Sequence, residues 1–439
     1  MTNHIQILRP DWIITVNSNF EILRDYAVVV EGNLIRTLIA ADEIDELESR
    51  DAAEIIDLPG KVLMPGLVNS HTHASMTLFR GMADDLPLMD WLNNHIWPAE
   101  AKWVDSQFCV DGFRMAVVEM IRSGTTCLSD MYFFPDEIAR CSQQMGMRSV
   151  IGLIVLDFPT VWAQNADEYL HKALAVHDEL REMPLVSSAL APHAPYTVSD
   201  EPLKKIAMYS NELDIPVHIH VHETAAEVAE AQKNTGLRPL ERLDQLNLLN
   251  PNLIAVHMTE LNDFEIERVA EAGVNVAHCP ESNLKLASGL CPVARLLERG
   301  VNVSLGTDGA ASNNDLDMLG EMRTAALLGK GVSGDASSCN ARQAIEMATI
   351  NGARALGLAD RIGSVEVGKH ADLIAIDMSA LNTQPLYDPT AQIVYAANSR
   401  QVSDVWIDGV AQLRNGEFCR LNSSEILTQA QEWARKISA

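Results

Sequence analysis

Apolar and polar residues alternate at both ends of the chain. Near the start, three segments combine this alternation with turn residues, namely WIITVNSN, YAVVVEGNLIRTLI and EIIDLPGKVLM, a pattern typical of short strands. Near the end, DLIAID is followed by VSDVWIDGVAQLRNGEF, in which an Asp-Gly turn between two strands indicates a hairpin. Because each end is too short to form a stable core alone, we predict that the two pair into one discontinuous β-sandwich.

The middle of the chain repeats a different pattern, an apolar run followed by a helical stretch. Eight such runs are candidate strands: VLMPGLVNSHTH, TTCLSDM, RSVIGLIVL, VSSALAPHAP, PVHIHVHE, NLIAVHM, VNVAHCPES and VNVSLGTDG. Each run is almost continuously apolar, as expected for parallel strands that are buried on both faces. The helical stretches include FRMAVVEMIRSG, LHKALAVHDELREM and FEIERVAEAG. Eight repeats favour closure into a (β/α)8 barrel over an open, doubly wound sheet.

The predicted architecture is therefore an α/β fold in which a TIM-type barrel interrupts a small β-sandwich. We place the first part of the sandwich at residues 1–62 and the barrel at 63–365. The second part of the sandwich and a C-terminal helix occupy 366–439. The length of 439 residues suits a barrel of roughly 250–300 residues with a small accessory domain.

Charge and cysteine content narrow the class of protein. The chain has 33 Lys and Arg against 60 Asp and Glu, and its formal charge of −27 would repel a phosphate backbone or an anionic bilayer. It contains neither a secretory leader pattern nor an apolar run of about 18 residues. Its 7 cysteines form no C-x-x-C pair, which argues against a thiolate zinc site and a disulfide framework. We expect a cytoplasmic protein that binds neither nucleic acid nor membranes.

Side chains able to do chemistry stand at the carboxyl ends of several predicted strands. They are His71, His73, His193, His220, Glu223, His257 and Asp308. A single histidine or aspartate at such a position is more often a structural residue or a helix cap. Because the carboxyl ends of barrel strands converge on the face where active sites are built, so many of them together indicate an active site.

The spacing of two of these histidines is typical of a metal site. His71 and His73 are two residues apart on one predicted strand, so both side chains point to the same side and can bind one cation. A third imidazole from a later strand and the carboxylate of Asp308 complete a set that catalytic zinc uses while leaving a position open for water. The alternative for Asp308 is a turn or helix-cap residue.

The fifth predicted strand offers three histidines on one face, His218, His220 and His222. Strand periodicity therefore cannot choose the ligand among them. Glu223, as a general acid or base, must reach the reacting water without binding the metal itself, and this requirement favours His220. His222 remains an alternative.

Six segments carry a resemblance to a known family: PGLVNSHTHASMTLFRGMADD, PLMDWLNNHIWPAE, HIHVHETAAE, AVHMTEL, HCPESNLKLASG and GTDGAASNNDLDM. Together they resemble the amidohydrolase superfamily and are most similar to its methylthioadenosine/S-adenosylhomocysteine deaminase branch. The resemblance covers essentially the whole chain, including the sandwich in two parts. It implies one divalent metal ion per chain, usually zinc.

The resemblance also implies roles for individual residues. The implied metal ligands are His71, His73, His220 and Asp308. The implied catalytic residues are Glu223, which moves a proton, His257, which holds the attacking water, and Asp308. The implied substrate-binding residues are Glu100, Arg148, His193 and Glu223. His222 departs from the family pattern, in which a small residue often precedes the glutamate, and this departure leaves the choice of ligand on the strand open.

The activity that the resemblance implies is hydrolytic deamination of an adenine nucleoside to the inosine analogue and ammonia. The expected substrate is 5′-methylthioadenosine, S-adenosylhomocysteine or adenosine, and the expected assembly is a homo-oligomer. One alternative is another deaminase or dechlorinase of the superfamily, acting on guanine, adenine or a triazine. A second is a non-catalytic barrel subunit. The cytidine-deaminase type of zinc site is excluded because no P-C-x-x-C motif is present.

Overall fold

The computed structural model describes residues 4–47 and 49–438. The strands before the barrel are β1 (Ile5–Ile14), β2 (Ile22–Arg24), β3 (Tyr26–Glu31), β4 (Leu34–Ala40) and β5 (Ala53–Pro65). The barrel strands are β6 (Leu67–Thr72), β7 (Thr125–Tyr132), β8 (Arg148–Val155), β9 (Val186–Pro192), β10 (Val217–Val221), β11 (Leu253–His257), β12 (Asn275–His278) and β13 (Asn302–Leu305). The strands after it are β14 (Leu373–Asp377), β15 (Val402–Ile407), β16 (Val410–Arg414) and β17 (Glu417–Phe418).

Most helices lie between barrel strands. The α-helices are α1 (Leu88–Trp91), α2 (Trp97–Trp103), α3 (Ser106–Arg122), α4 (Pro135–Met145), α5 (Ala166–Leu180), α6 (Asp200–Leu213), α7 (Ala225–Thr235), α8 (Pro239–Gln245), α9 (Asp263–Ala272), α10 (Pro280–Lys285), α11 (Val293–Glu298), α12 (Met318–Ser333), α13 (Ala341–Ala348), α14 (Ile350–Ala355), α15 (Pro389–Tyr395) and α16 (Ser423–Ser438). A π-helical turn, Leu92–Ile96, joins α1 to α2. No helix within the two described ranges is both long enough and apolar enough to span a membrane.

The two ends of the chain pair, as predicted for the discontinuous sandwich, and their strands form one sheet. Its strand order is β17-β16-β15-β14-β5-β1-β3-β4, with β2 paired to β1. The ends join where β14 pairs antiparallel with β5, placing Ile374 opposite Met64. The predicted hairpin is also present as β15 and β16, which turn at Asp408 and Gly409.

The middle of the chain forms the predicted (β/α)8 barrel. Strands β6 to β13 pair in chain order, each parallel to the next. The barrel closes where the segment after β13 meets β6, and there the backbone N–H of Asp308 donates to the carbonyl of His71 at 3.0 Å. Gly306 permits this approach, because a Cβ at that position would lie 2.8 Å from the His71 nitrogen.

The run VLMPGLVNSHTH is not one strand, contrary to the sequence interpretation. Its first part belongs to β5 of the terminal sheet, which continues to Pro65, beyond the predicted boundary at 62. The barrel strand β6 begins at Leu67. Gly66 separates the two because any side chain there would collide with Thr126, whose Oγ1 would lie 2.0 Å from a Cβ. An apolar run alone does not reveal which of two sheets its residues join.

The predicted C-terminal helix, α16, packs against the barrel helix α3 rather than the terminal sheet. The Trp433 indole N–H donates to the Asp111 carboxylate at 2.9 Å. The same indole stands edge-on to Phe108, with ring centroids 5.3 Å apart. Asp105 caps α3 by accepting a hydrogen bond from the Phe108 N–H, which satisfies one of the free amides of the first turn.

Candidate active site

The barrel brings the predicted histidines and Asp308 together at the carboxyl ends of its strands. The ring centroid of His71 lies 4.8 Å from those of His73 and His220. The His257 ring is 5.5 Å from that of His220 and stacks on it. His71, His220, His257 and Asp308 are all buried, the most exposed being 5 % accessible. The cluster therefore joins residues that are far apart in the chain but adjacent around the barrel.

The donor atoms of this cluster form two triads that share His71, one with His73 and Asp308 and one with His220 and His257, and within each triad the donor atoms lie within 4.8 Å of one another. Asp308 Oδ1 lies 3.3 Å from Nε2 of both His71 and His73. Nε2 of His220 lies 3.2 Å from Nε2 of His71. Donors bound tetrahedrally at ~2.0–2.1 Å to one zinc ion stand about 3.3–3.4 Å apart. The donor atoms therefore have the separation that a single divalent cation requires.

The ionisation of these side chains also suits a cation. Burial lowers the pKa of His71 and His220, so both imidazoles are neutral, which is the form that binds metal. Burial opposes the charged form of Asp308, but its hydrogen bond with His71 and the nearby histidines outweigh this and hold its pKa well below the usual value. His71 and His220 thus offer neutral imidazoles, and Asp308 offers an ionised carboxylate.

Two of the histidines are oriented by backbone carbonyls. The Nδ1–H of His73 donates to the Met131 carbonyl at 2.6 Å. That of His220 donates to the His193 carbonyl at 2.6 Å. Each contact sets the tautomer and leaves Nε2 as the free donor, as is usual for metal-binding histidines.

The structure distinguishes His218 and His220 on β10 from His222, which lies just after the strand. His218 lies behind the cluster, where its Nε2 is 2.9 Å from Nδ1 of His71. The Nε2 of His222 instead accepts a hydrogen bond from the Leu240 backbone at 3.2 Å. His220 is thus the member whose Nε2 points into the cluster.

Asp308 is held by hydroxyl groups on its other oxygen. Its Oδ2 accepts from Ser282 at 2.7 Å and from Ser312 at 2.9 Å. Its backbone φ is +61°, a conformation that non-glycine residues rarely adopt and that concentrates at functional sites. These contacts leave Oδ1 directed at the histidines.

Glu223 and His257 stand beside the cluster as possible acid and base. Oε2 of Glu223 lies 3.8 Å from Nε2 of His257. Burial, with a smaller contribution from the charge of Asp308, raises the pKa of Glu223 well above its usual value. Burial lowers the pKa of His257 to about 3. Burial thus favours the protonated form of the Glu223 carboxyl and the neutral form of the His257 imidazole.

Both sides of the backbone turn that carries Glu223 are hydrogen-bonded. The Glu227 carboxylate accepts from the N–H groups of His222 and Glu223 at 3.2 and 2.7 Å. From the opposite side, the Thr259 hydroxyl donates to the Glu223 carbonyl at 2.8 Å. The turn is therefore fixed independently of the Glu223 side chain, which remains available for proton transfer.

A cavity of about 510 Å³ opens beside the cluster, and Glu100 and His193 are in its wall. The Tyr132 hydroxyl donates to Glu100 Oε1 at 2.7 Å. Burial raises the pKa of Glu100 to about 7, although the Tyr132 hydrogen bond opposes this. Burial lowers the pKa of His193 to about 3, so its imidazole is neutral. The volume suits a small organic ligand.

Comparison with known proteins places this site in a family. The model of the amidohydrolase family matches residues 62–411. The chain belongs to the amidohydrolase family. This confirms the resemblance noted in the sequence.

Several proteins of named function are similar to this amidohydrolase over nearly its whole length. It is 47% identical over 442 residues to a 5-methylthioadenosine/S-adenosylhomocysteine deaminase of Teredinibacter turnerae, covering 100% of both chains. It is 44% identical to a 5′-deoxyadenosine deaminase of Methanothermobacter thermautotrophicus, covering 95% of this chain and 96% of the relative. It superposes with a TM-score of 0.96 on a zinc-bound adenosine deaminase of Xanthomonas campestris, at 47% identity and covering 99% and 98% of the two chains.

Arg148 does not join the site, contrary to the sequence interpretation. It is the first residue of β8 and thus lies at the amino end of the barrel, opposite the cavity. Its guanidinium makes two hydrogen bonds to Asp372, at 2.7 and 2.9 Å, and one to Asp408 at 3.0 Å. These bonds tie the barrel to the terminal sheet, and we therefore assign Arg148 to that interface rather than to substrate.

The sequence analysis also missed several supporting residues of the amidohydrolase site, namely Tyr132, Glu227, Ser282 and Ser312. Tyr132 was detectable, because it ends β7 and so satisfies the same strand-end rule that identified the histidines. The others contact ligands or the Glu223 turn from positions that no spacing rule marks. Their roles depend on side-chain packing.

Proposed function

We propose that this amidohydrolase is a metal-dependent adenine nucleoside deaminase that converts 5′-methylthioadenosine and related nucleosides to their inosine analogues and ammonia. The observation that carries the proposal is the convergence of His71, His73, His220 and Asp308 beside a cavity whose wall contains Glu223 and His257. The three similar proteins named above are deaminases of adenosine or its 5′ derivatives, and their names support the choice of substrate class.

The metal ligands in this proposal are His71, His73, His220 and Asp308, which hold one zinc ion per chain. Zinc in the similar adenosine deaminase structure supports the choice of metal. A divalent cation at such a site supplies Lewis acidity and makes water nucleophilic near neutral pH.

Glu223 moves the proton in the proposed reaction. Burial raises the pKa of Glu223 and so favours the protonated carboxyl, which can donate to N1 of the purine as water adds to C6. His257 orients the attacking water. Its Nε2 lies 3.8 Å from Oε2 of the Glu223 carboxyl group. As the C6–oxygen bond forms, Asp308 takes one proton from the attacking water and then passes it to the exocyclic nitrogen. Glu223, now a carboxylate, takes the remaining hydroxyl proton as the C6–oxygen double bond forms, the C6–nitrogen bond breaks and ammonia leaves.

Glu100 and His193 bind the substrate in the proposal. The Glu100 carboxylate accepts hydrogen bonds from the ribose hydroxyls, and Tyr132 orients it. His193, neutral at physiological pH, contacts the purine. A buried acceptor left without its partner costs binding energy, so analogues that lack the ribose hydroxyls should be rejected strongly.

A substrate panel tests the proposed function. We expect ammonia release from 5′-methylthioadenosine, 5′-deoxyadenosine and adenosine, with much lower kcat/KM for adenine and 2′,3′-dideoxyadenosine. Guanine and a chlorotriazine represent the alternative hydrolases of the superfamily. If any of the bases or the triazine gave a higher kcat/KM than every nucleoside, the nucleoside assignment would be wrong while the barrel and metal site would stand.

We also propose that the enzyme is a cytoplasmic homo-oligomer that acts on small molecules without a nucleic acid or membrane partner. The formal charge of −27 supports the absence of anionic polymer partners. Sedimentation analysis of the purified enzyme tests the oligomeric state, and a monomer at micromolar concentration would contradict it.

A further inference from the structure

The segment HIHVHE contains three histidines, of which the proposed function uses only His220 as a metal ligand. His218, two residues earlier on the same strand, is 0% exposed. Its ring meets the ring of the ligand His71 edge to face, with centroids 4.9 Å apart and an interplanar angle of 79°. A buried polar side chain needs a hydrogen-bond partner, and here the partner is the ligand itself, because Nε2 of His218 lies 2.9 Å from Nδ1 of His71.

The metal-binding role of His71 fixes the direction of this hydrogen bond. A neutral imidazole carries one ring proton, and the nitrogen that binds a cation cannot hold it. Nε2 of His71 faces Asp308 and His220, so the proton of His71 belongs on Nδ1, which donates it to His218. Nε2 of His218 is then the acceptor, and the ring proton of His218 lies on its own Nδ1.

Ser129 provides the acceptor for that second proton. Its Oγ lies 3.2 Å from Nδ1 of His218, and the residue is 0% exposed on β7. A hydroxyl oxygen accepts as well as donates, so it can receive the Nδ1–H of His218. The hydrogen bonds therefore run in one direction, from His71 to His218 and from His218 to Ser129, and each buried ring proton has an acceptor.

The other two ligand histidines are held differently. His73 and His220 each donate Nδ1–H to a backbone carbonyl at 2.6 Å. A backbone carbonyl is present whatever the side chain, whereas the acceptor for His71 exists only because residue 218 is a histidine. The outer partner of a metal-binding histidine fixes its tautomer and ring orientation, and loss of that partner typically costs about 10–100-fold in metal affinity or activity. The orientation of His71 thus depends on one replaceable side chain.

We propose that His218 is a positioning residue that holds His71 with Nε2 directed at the metal, and that Ser129 supports His218 in turn. The inference rests on the metal site of the proposed function and does not depend on which substrate the enzyme uses. It gives two histidines of one strand different roles. His220 binds the metal, and His218 orients a ligand that comes from β6, on the opposite side of the barrel.

Competition for zinc between the enzyme and a chelator tests this role, and two substitutions separate the hydrogen bond from packing. His218→Leu occupies the space without an acceptor and should weaken zinc binding by about 10–100-fold. His218→Gln places an amide oxygen near the position of Nε2 and should recover most of that loss. Unchanged zinc affinity in His218→Leu, or equal losses in both variants, would overturn the proposal, because the hydrogen bond to His71 would then not matter.

Ser129→Ala tests the far end of the chain with a smaller change. It removes the acceptor for Nδ1 of His218 and should weaken zinc binding, but less than His218→Leu does. If Ser129→Ala bound zinc as tightly as the wild type, the direction assigned to the hydrogen bonds would be wrong.

His278→Leu is the matched control. His278 is also a buried histidine, 1% exposed at the carboxyl end of β12, and in the part of the chain that the structure describes its side chain makes no hydrogen bond to a metal ligand. The substitution should leave zinc affinity unchanged. Equal losses in His278→Leu and His218→Leu would reveal a general effect of removing a buried imidazole and would contradict the assignment. Because zinc binding is measured without substrate, failure to deaminate nucleosides would overturn the proposed activity and not this inference.

Discussion

The two ends of the barrel both bury ionisable side chains, but they arrange them in opposite ways. At the amino end, Arg148 is 2% exposed and Asp372 is 3% exposed, and two hydrogen bonds join them. At the carboxyl end, Asp308 and the histidines direct electron-pair donor atoms toward one another, and these atoms lie 3.2–3.3 Å apart. Opposite charges neutralise each other at one end, whereas the other needs a cation.

The difference shows that burial of charge does not by itself mark an active site. The amino end fastens the terminal sheet to the barrel, and its charged groups find partners within the protein. The carboxyl end also bears unusual backbone conformations, with φ of +74° at His257 and +61° at Asp308. Asp408, which binds Arg148 at the amino end, also has a positive φ of +54°. The convergence of donors, rather than the backbone conformation, therefore distinguishes a site that binds a ligand from one that only holds the fold.

The largest expected effect is loss of bound metal and activity when a carboxylate is removed from the carboxyl end but not when one is removed from the amino end. Asp308→Ala should abolish deamination and lower bound metal well below one ion per chain, because the convergent donor set loses its only carboxylate. Inductively coupled plasma mass spectrometry measures the bound metal, and ammonia release measures deamination. Asp372→Ala removes a buried carboxylate from the amino end and serves as the matched control, which should retain metal. If both variants lost metal, the requirement for metal would not be specific to the carboxyl end.

The next largest effect is a loss of catalysis in a variant that still binds metal. Glu223→Gln should lower kcat by about 10²–10⁴-fold, because the amide cannot transfer the proton to the purine. Metal content should stay near one ion per chain. A variant that lost its metal would instead show that Glu223 is a ligand, and the roles assigned on the β10 turn would be wrong.

A smaller effect is expected from the substrate-binding wall. Tyr132→Phe removes the hydrogen bond that opposes the raised pKa of Glu100, so that pKa should rise above its value of about 7. Glu100 binds the ribose hydroxyls best when ionised, so affinity is present above this pKa and is lost as pH falls through it. The variant should lose affinity at higher pH than the wild type, with KM up roughly 10-fold at pH 7 and little change in kcat. An unshifted pH profile of kcat/KM would contradict this role.

Much of this contrast could be predicted from the sequence, because in a (β/α)8 barrel the carboxyl ends of the strands form the active-site face and the amino ends form the opposite face. The spacing of His71 and His73 and the position of Asp308 after the last strand were sufficient to predict a shared site at the carboxyl face. The same rule, applied to Arg148 at the start of its strand, would have placed it at the opposite face. The resemblance alone suggested a substrate role for it.

The parts that sequence could not predict depend on packing across the barrel. His218 and His220 share a strand face, and only the position of His71 determines which of them turns Nε2 into the cluster. The absence of lysine and arginine among the described residues of the cavity wall depends in the same way on which loops surround it. The division of VLMPGLVNSHTH at Gly66 reflects one close contact with Thr126.

The smallest expected effect on activity belongs to the amino end. Arg148→Ala leaves the buried carboxylate of Asp372 unpaired and should lower the free energy of unfolding by about 3–5 kcal/mol. Below the unfolding temperature, kcat/KM for 5′-methylthioadenosine should change by less than about twofold, because the cavity lies at the other end of the strand. Adding Asp372→Ala should cost less than the sum of the two single losses, since the residues interact directly. Urea denaturation of the single and double variants measures the coupling. If Arg148→Ala selectively lowered the turnover of S-adenosylhomocysteine and left stability unchanged, Arg148 would be a substrate-binding residue. The two ends of the barrel would then not differ in function as described.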